Sequence, residues 1–190
     1  MRKLATLFTS SFHEFKQPKT LAVTGMLGAL AVILGYLTIA VGDYIKIGFS
    51  TIVNQAVCYL FGPVVGGVFG GALDILKYLI KPTGGYFPGF TLIPMVAGAI
   101  YGVSYYKKPI SLWRIMAAEL VVAVICNMLM GTYFLSILYG KGFWALLPMR
   151  AFKNIIMWPI HSFLFYSTGK VLETSGMFRI LKMPPTSLDK

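Results

Sequence analysis

The sequence predicts an all-α membrane protein whose six transmembrane helices form one compact bundle. Of its 190 residues, 57% are hydrophobic and only 12% are charged, whereas soluble domains carry roughly 25% charged residues. Apolar runs of helical length recur along the chain, and short polar or proline-glycine segments separate them. These segments are too short for a separate soluble domain, so we expect a single membrane-embedded unit.

The first 19 residues predict an amphipathic helix on the cytoplasmic membrane surface. Its apolar side chains recur at helical spacing: Leu4, Leu7, Phe8, Phe12 and Phe15. The segment lacks the apolar core of a cleavable signal peptide. We therefore divide the chain into this segment (residues 1–19), a six-helix membrane domain (residues 20–172) and a cytoplasmic tail (residues 173–190).

The clearest span is Thr20–Val41, a run of 22 uncharged residues. Ala22, Gly25 and Ala29 belong to a stripe of small side chains on this helix. Membrane helices approach closely where such residues lie. The stripe is compatible both with packing inside the bundle and with docking of a separate subunit.

A short polar turn then leads into Ile47–Phe61, a short segment that Asn54 and Gln55 interrupt. Gly62 and Pro63 end it. The third helix opens with a repeated small-xxx-small pattern formed by Gly62, Gly66, Gly67, Gly70 and Gly71. The pattern predicts a tight crossing with another helix.

The third helix carries Asp74, Lys77 and Lys81 on one face. Ionisable side chains are costly in a membrane, so they either face a functional interior or form an ion pair between Asp74 and Lys77. A proline- and glycine-rich loop follows, and it places three aromatic rings close together: Tyr86, Phe87 and Phe90. The loop is either a lid over a pocket or a connector with interfacial aromatic residues.

Three further helices complete the prediction: Thr91–Tyr106, Ser111–Leu138 and Ala151–Lys170, with a connector from Tyr139 to about Arg150. Asn154, Trp158 and His161 share one face of the sixth helix, and Arg150 and Lys153 stand at its outer end. An amide, an indole and cations together suit a small anionic ligand with a flat ring. Trp158 and His161 are also compatible with ordinary core packing.

The distribution of Lys and Arg predicts that both termini are cytoplasmic. Six spans place both termini on one side, which then carries 11 of the 17 basic residues, and the outer side carries 6. The excess of positive charge therefore reflects topology and predicts no binding of nucleic acid. The six outer cations suit an anionic ligand that approaches from outside.

The sequence offers no motif for an enzyme, a cofactor or a metal. It contains no ATP-binding P-loop, no metal-ligand cluster and no GxSxG element, and Asp74, Glu119 and His161 fall on three different predicted helices. Cys58 and Cys126 lie in apolar segments, and we expect both to be core residues. We see no internal inverted repeat of the kind many secondary transporters show.

Two segments carry a family resemblance: FGPVVGGVFGGALDILKYLIKPTGGYFPGFTLIPMVAGAIYG, and YGKGFWALLPMRAFKNIIMWPI after the fifth helix. Roughly residues 20 to 170 resemble the substrate-binding S component of an energy-coupling factor (ECF) vitamin transporter, and the folate branch is the most similar. The resemblance implies a prokaryotic plasma-membrane protein without ATPase activity. Such a protein captures a vitamin from outside and then docks on a transmembrane coupling subunit driven by two ATPase subunits.

The resemblance also guides the choice of site residues. Those we expect to bind substrate are Lys81, Tyr86, Phe87, Phe90, Arg150, Lys153, Asn154 and Trp158. The family's docking motif on the first helix is A-x-x-x-A, whose nearest equivalent here is Gly25-x-x-x-Ala29, and we add Ala22 to that face. Two alternatives stay open: a pantothenate-specific S component, and a secondary transporter that works without partners.

Overall fold

The computed structural model describes residues 2–36, 39–41, 45–47, 50–80, 87–140 and 142–175. Within these ranges the chain is helical apart from short turns and connectors and one small ribbon of two strands. The helices are α1 (Arg2–Phe15), α2 (Pro18–Tyr36), α3 (Ser50–Ile80), α4 (Pro88–Tyr105), α5 (Leu112–Val122), α6 (Gly131–Tyr139) and α7 (Phe143–Thr174). A π-helical segment, Ala123–Met130, joins α5 to α6 without a break. The predicted all-α membrane fold is confirmed.

Three helical stretches are long and apolar enough to cross a membrane by length and composition: Pro18–Gly35, Ser50–Ile80 and Leu112–Leu138. Of the apolar window of α3, 83% is buried inside the protein, against 11% for α2 and 22% for the stretch from α5 to α6. Helix α3 is therefore the centre of the bundle, and the other two present much of their surface to the surroundings.

Helix α3 reverses direction at Gly62. This residue has φ 89° and ψ −170°, a conformation open to glycine and costly for other residues. A Cβ atom built on Gly66 would lie only 3.2 Å from the Cα atom of Cys58, so the chain folds back on itself across the bend. Helix α3 is thus a hairpin with a first arm (residues 50–61) and a second arm (residues 63–80). With α2, α4, α5–α6 and α7, the two arms make up the six predicted helices.

Ser11 of α1 caps the start of the second arm. Its hydroxyl accepts hydrogen bonds from the backbone N–H groups of Val64 (3.0 Å) and Val65 (3.3 Å) and donates one to the carbonyl of Phe61 (2.7 Å). An N-cap serine normally makes the same contacts to its own helix. Here Gly62 occupies the cap position and has no side chain to offer, so a residue 51 positions earlier in the chain supplies the hydroxyl. Ser11 is fully buried by this contact.

Close backbone contact holds the second arm against α4. A Cβ atom on Gly98 would lie 2.4 Å from the carbonyl oxygen of Gly66, and one on Gly102 would lie 2.3 Å from the Cα atom of Pro63. A Cβ atom on Gly70 would meet the carbonyl oxygen of Pro94 at 2.5 Å. Only glycine fits at such distances, so the tight crossing predicted from the small-xxx-small pattern is confirmed.

The end of α2 and the start of α3 differ from the sequence prediction. Helix α2 ends at Tyr36 instead of Val41, and helix α3 begins at Ser50 instead of Ile47. Between them β1 (Ile39–Val41) pairs antiparallel with β2 (Ile45–Ile47), with Ile39 opposite Ile47. The physical reason is the β-branched composition of these segments, which favours extended backbone, and apolarity alone did not reveal it.

The connector before the sixth helix is also shorter than predicted. Helix α7 begins at Phe143, so residues 143–150 are helical, although Pro148 had indicated a loop there. Pro148 is the sixth residue of α7, so the helix continues across it at the cost of the one backbone hydrogen bond that its missing N–H would donate.

Both described ends of the chain lie at one end of the bundle. Glu173, near the end of α7, accepts hydrogen bonds from the hydroxyl of Tyr59 (2.8 Å) and from the backbone N–H of Ile110 (3.0 Å). Tyr59 is three residues from the bend that Ser11 caps. Six helices follow α1 when the two arms of α3 are counted separately, and they alternate in direction. The last of them therefore ends on the side of the bundle where α1 lies.

We expect Ser11→Ala to destabilise the protein, because it removes the cap of the second arm. Loss of an N-cap costs about 0.5–2 kcal/mol, which corresponds to a fall in Tm of roughly 1–8 °C for a domain of this size. Thermal unfolding of the purified protein in detergent measures the change.

The matched control is Ser10→Ala, which makes the same replacement one position earlier on α1. We expect this variant to keep the wild-type Tm. Equal Tm values for the two variants would contradict the capping role of Ser11.

Candidate substrate-binding site

A cavity of about 470 Å³ lies between the two arms of α3, helices α4 and α5, the π-helical segment and α7. Its volume falls in the range of sites for small molecules, roughly 300–1,000 Å³. The lining combines polar, charged and aromatic side chains: Ser50, Thr51, Asn54, Asp74, Lys77, Phe90, Tyr101, Glu119, Asn127, Lys153, Asn154, Trp158 and His161. The cavity begins near the end of the bundle opposite Gly62 and runs inward.

Two polar atoms on the cavity wall are buried without a hydrogen-bond partner. They are Oδ1 of Asn54 and Nε2 of His161. Buried polar groups are nearly always paired, and an unpaired one costs free energy. Because both residues line the cavity, they are candidates to bind a polar ligand there.

Glu119 is the most deeply buried carboxylate on the cavity wall. It is only 5% exposed, and it accepts hydrogen bonds from Tyr101 Oη (2.9 Å) and from Gln55 Nε2. The three residues come from α5, α4 and the first arm of α3, so the network fixes the carboxylate relative to three helices. Nothing in the local sequence around Tyr101 indicated this contact.

The charged face predicted on the third helix reaches the cavity. Asp74 Oδ2 accepts a hydrogen bond from Thr91 Oγ1 (2.9 Å), and Lys77 Nζ donates one to Ser50 Oγ. Asp74 and Lys77 therefore connect the second arm to α4 and to the first arm while lining the cavity. Lys81, on the same predicted face, lies outside the described residues.

Three phenylalanine rings cluster at the start of α4. Phe90 lies edge-on to Phe87 (6.0 Å between centroids) and to Phe134 of α6 (6.3 Å), and the rings of Phe87 and Phe134 are 5.7 Å apart. Phe90 lines the cavity, whereas Phe87 supports it from behind and is absent from the lining. Tyr86 lies outside the described residues.

Helix α7 presents its predicted face to the cavity. Asn154, Trp158 and His161 all line it, and so does Lys153. Trp158 is fixed in place because its Nε1–H donates to the carbonyl of Met116 on α5 (2.8 Å). The geometry brings an amide, a rigid indole and a cation to one wall, and their role in binding stays a prediction.

Arg150 supports the π-helical segment instead of lining the cavity. Gly131 N–H bonds to the carbonyl of Cys126, five residues back, and the α-helical pattern of four resumes in α6. Arg150 Nη1 donates to the carbonyl of Asn127, within this segment, at 3.2 Å. Arg150 as a substrate ligand stays a prediction.

The predicted docking residues lie on the outside of α2. Ala22, Gly25 and Ala29 are exposed, and a Cβ atom on Gly25 would have no atom within 4 Å. The inward face of the same helix is different, since Ala31 is fully buried and Gly28 packs against Phe69. The sequence left two explanations for this stripe, which are packing inside the bundle and docking of a separate subunit. Because these three residues are exposed within the described chain, they do not pack inside the bundle.

These features define a helical membrane protein with a polar and aromatic cavity for a small molecule. The family model "ECF transporter, substrate-specific component" matches residues 19–168, and the chain belongs to this family. A folate transporter, FolT, of Clostridium novyi (strain NT) is 40% identical over 129 residues, which is 68% of this chain and 75% of the relative. FolT of Leuconostoc mesenteroides subsp. mesenteroides is 29% identical over 141 residues, 71% of this chain and 76% of the relative.

A solved structure is similar over most of the fold. A crystal structure of FolT bound with folic acid superposes with a TM-score of 0.73 at 34% sequence identity, and the match covers 81% of this chain and 94% of that one. The family resemblance inferred from the sequence is confirmed, and the family is a transporter component with no enzymatic activity of its own.

We expect Arg150→Ala to lower the stability of the ligand-free protein, because it removes the hydrogen bond to the carbonyl of Asn127. The cost should be about 1 kcal/mol for one hydrogen bond of this kind, or roughly 2–4 °C in Tm. Arg150→Lys should recover part of the loss. Thermal unfolding in detergent measures both variants.

Lys19→Ala is the control, because it removes an exposed positive charge elsewhere on the protein. We expect no change in its Tm. If Arg150→Ala matches this control, the bond to Asn127 does not support the π-helical segment.

Proposed function

We propose that the chain is the folate-binding S component of an ECF-type importer in the prokaryotic plasma membrane. It captures folate from outside the cell, with both of its termini in the cytoplasm. It releases the vitamin inward after docking on a transmembrane coupling subunit driven by two ATPase subunits. The observation that carries the proposal is the cavity, whose lining matches the chemistry of folate, in a chain whose relatives are named folate transporters.

Folate has a flat pterin ring with several hydrogen-bonding edges and a glutamate tail with two carboxylates. The ring needs aromatic faces and polar partners, and Phe90, Trp158 and Asn154 on the lining are suited to this. Asn54 and His161 also line the cavity and add further hydrogen-bonding side chains. Pantothenate has no ring to stack, so these aromatic residues favour folate.

The carboxylate tail needs cations. Lys153 is on the lining, and we propose it as a partner for the tail together with Lys81 or Arg150. Cations near water are screened, so each should contribute about 0.5–1 kcal/mol. The loop before α4, with Tyr86 and Phe87, would then close over the bound vitamin.

Energy for transport must come from partners. The sequence contains no nucleotide-binding motif, and a binding cavity alone does not drive accumulation against a gradient. The exposed small-residue face of α2 supports docking on the coupling subunit, because a partner helix can approach closely there.

We expect the purified protein to bind folic acid tightly and pantothenate weakly in calorimetric titrations. Asn154→Ala should weaken folic acid binding by about 1–3 kcal/mol, because a buried ring edge loses its partner. Lys81→Ala should cost less, about 0.5–1 kcal/mol. Trp158→Leu should also weaken folic acid binding, because the indole face is lost.

The thermal stability of each variant is the control, since Trp158→Leu also removes the hydrogen bond to Met116. Absence of folic acid binding by folded wild-type protein would overturn the assignment. Tight pantothenate binding that is indifferent to Trp158→Leu would identify the pantothenate-specific alternative.

We expect Gly25→Leu and Ala29→Trp to abolish folate uptake while folic acid binding persists. Bulk on this face blocks the close approach of a partner helix without touching the cavity. Uptake is measured in liposomes that contain the protein with its coupling subunit and ATPases, and binding is measured by titration.

Ala117→Trp is the matched control, because Ala117 is an exposed alanine on another helix, α5. It should leave both uptake and binding unchanged. Uptake by the protein alone, driven by an ion gradient, would instead support the alternative of a self-sufficient secondary transporter.

A further inference from the structure

The buried carboxylate of Glu119 is the most costly group on the cavity wall. Its two hydrogen-bond donors, Gln55 Nε2 and Tyr101 Oη, are both neutral. A carboxylate away from water needs its oxygens well satisfied, and an ionised carboxylate has about four lone-pair sites. The two neutral donors occupy half of them, so Glu119 can accept further hydrogen bonds from a ligand.

Two amide oxygens in the first arm add to the acceptors in this region. Asn54 lines the cavity, and its Oδ1 is buried without a hydrogen-bond partner among the described residues. Gln55 lies behind the wall, 1% exposed, and its Oε1 also lacks a partner within the described part of the chain. A ligand group that lies against the Glu119 carboxylate must bring hydrogen-bond donors, because carboxylate oxygens only accept.

The carboxylate is held rigidly. The ring of Tyr101 stacks on Tyr105, with centroids 5.6 Å apart and planes 18° apart, and Tyr105 stacks in turn on Phe165 of α7 at 5.0 Å. Tyr101, Gln55 and Phe165 are each no more than 2% exposed. The position of Glu119 is thus set before any ligand arrives, which favours selective hydrogen bonding.

We propose that Glu119 determines specificity by accepting hydrogen bonds from a ring edge that carries an amino group beside a ring N–H, with Gln55 and Tyr101 as positioning residues. Two parallel N–H donors in one plane match the two oxygens of a carboxylate, as in arginine–carboxylate pairs. The 2-amino-4-oxopyrimidine half of a pterin presents such an edge. The inference rests on the proposed function, and it names the part of folate that the cavity recognises.

The test compares three ligands in titrations of the full chain in detergent: folic acid, 2-desamino-2-methylfolic acid and p-aminobenzoylglutamate. The second lacks the amino group of the edge, and the third lacks the pterin. Glu119→Gln should weaken folic acid binding roughly 10- to 100-fold, because a hydrogen bond to a charged group is lost. The same variant should change the binding of p-aminobenzoylglutamate less than about threefold, since this ligand lacks the whole edge. Its effect on 2-desamino-2-methylfolic acid should be intermediate, because that ligand loses the amino group but keeps the ring N–H.

Glu173→Gln is the matched control. Glu173 also accepts hydrogen bonds from a tyrosine hydroxyl and from a second donor, but it lies away from the cavity. We expect this variant to keep wild-type affinity for folic acid. If Glu119→Gln does not fold, Tyr101→Phe keeps the stacked ring and removes one positioning bond, and it should show the same ligand selectivity with a smaller loss, roughly 3- to 10-fold.

The outcomes separate the two proposals. If wild-type protein binds folic acid and both variants at Glu119 and Tyr101 bind it equally well, the inference about Glu119 fails and the proposed function stands. If a variant loses affinity for all three ligands in parallel, its role is structural and the inference also fails. If folded wild-type protein binds no folic acid, the proposed function itself fails.

Discussion

The cap that Ser11 places on the bend at Gly62 is the contact on which the bundle depends. Where a chain reverses direction between two helices, the first backbone N–H groups of the second helix have no partner in their own helix. Here Ser11 and Phe61 are fully buried, so water does not reach the bend to satisfy these groups. Pro63 lacks one of these donors, and Ser11 binds those of Val64 and Val65. The N-terminal helix α1 is thus a structural part of the fold.

The reversal in turn builds the cavity. It brings the first arm, with Ser50 and Asn54, alongside the second arm, with Asp74 and Lys77, so that polar groups from distant parts of the sequence share one wall. The glycine contacts between the second arm and α4 then bring Tyr101 within hydrogen-bonding distance of Glu119. The polar lining follows from a backbone approach that side chains larger than glycine would prevent.

Much of this architecture could be predicted, because in a membrane the requirements on each helix are local. Charge distribution, apolar length and the Gly62–Pro63 break gave six helices, and glycine spacing gave the tight crossing. The failures were also local in origin. The strand Ile39–Val41 is as apolar as the helix before it, and Pro148 indicated a loop where a helix had already begun.

The sequence by itself determined the class of the protein, its family and the helix face with Asn154, Trp158 and His161, because these depend on composition, motif and helical period. Only the tertiary structure decided which groups meet. Glu119 lies 18 residues from Tyr101 and 64 from Gln55, and the hydrogen bonds between them exist because three helices pack together. Helical spacing indicates which residues share a face, but the partner across a cavity depends on how the helices cross.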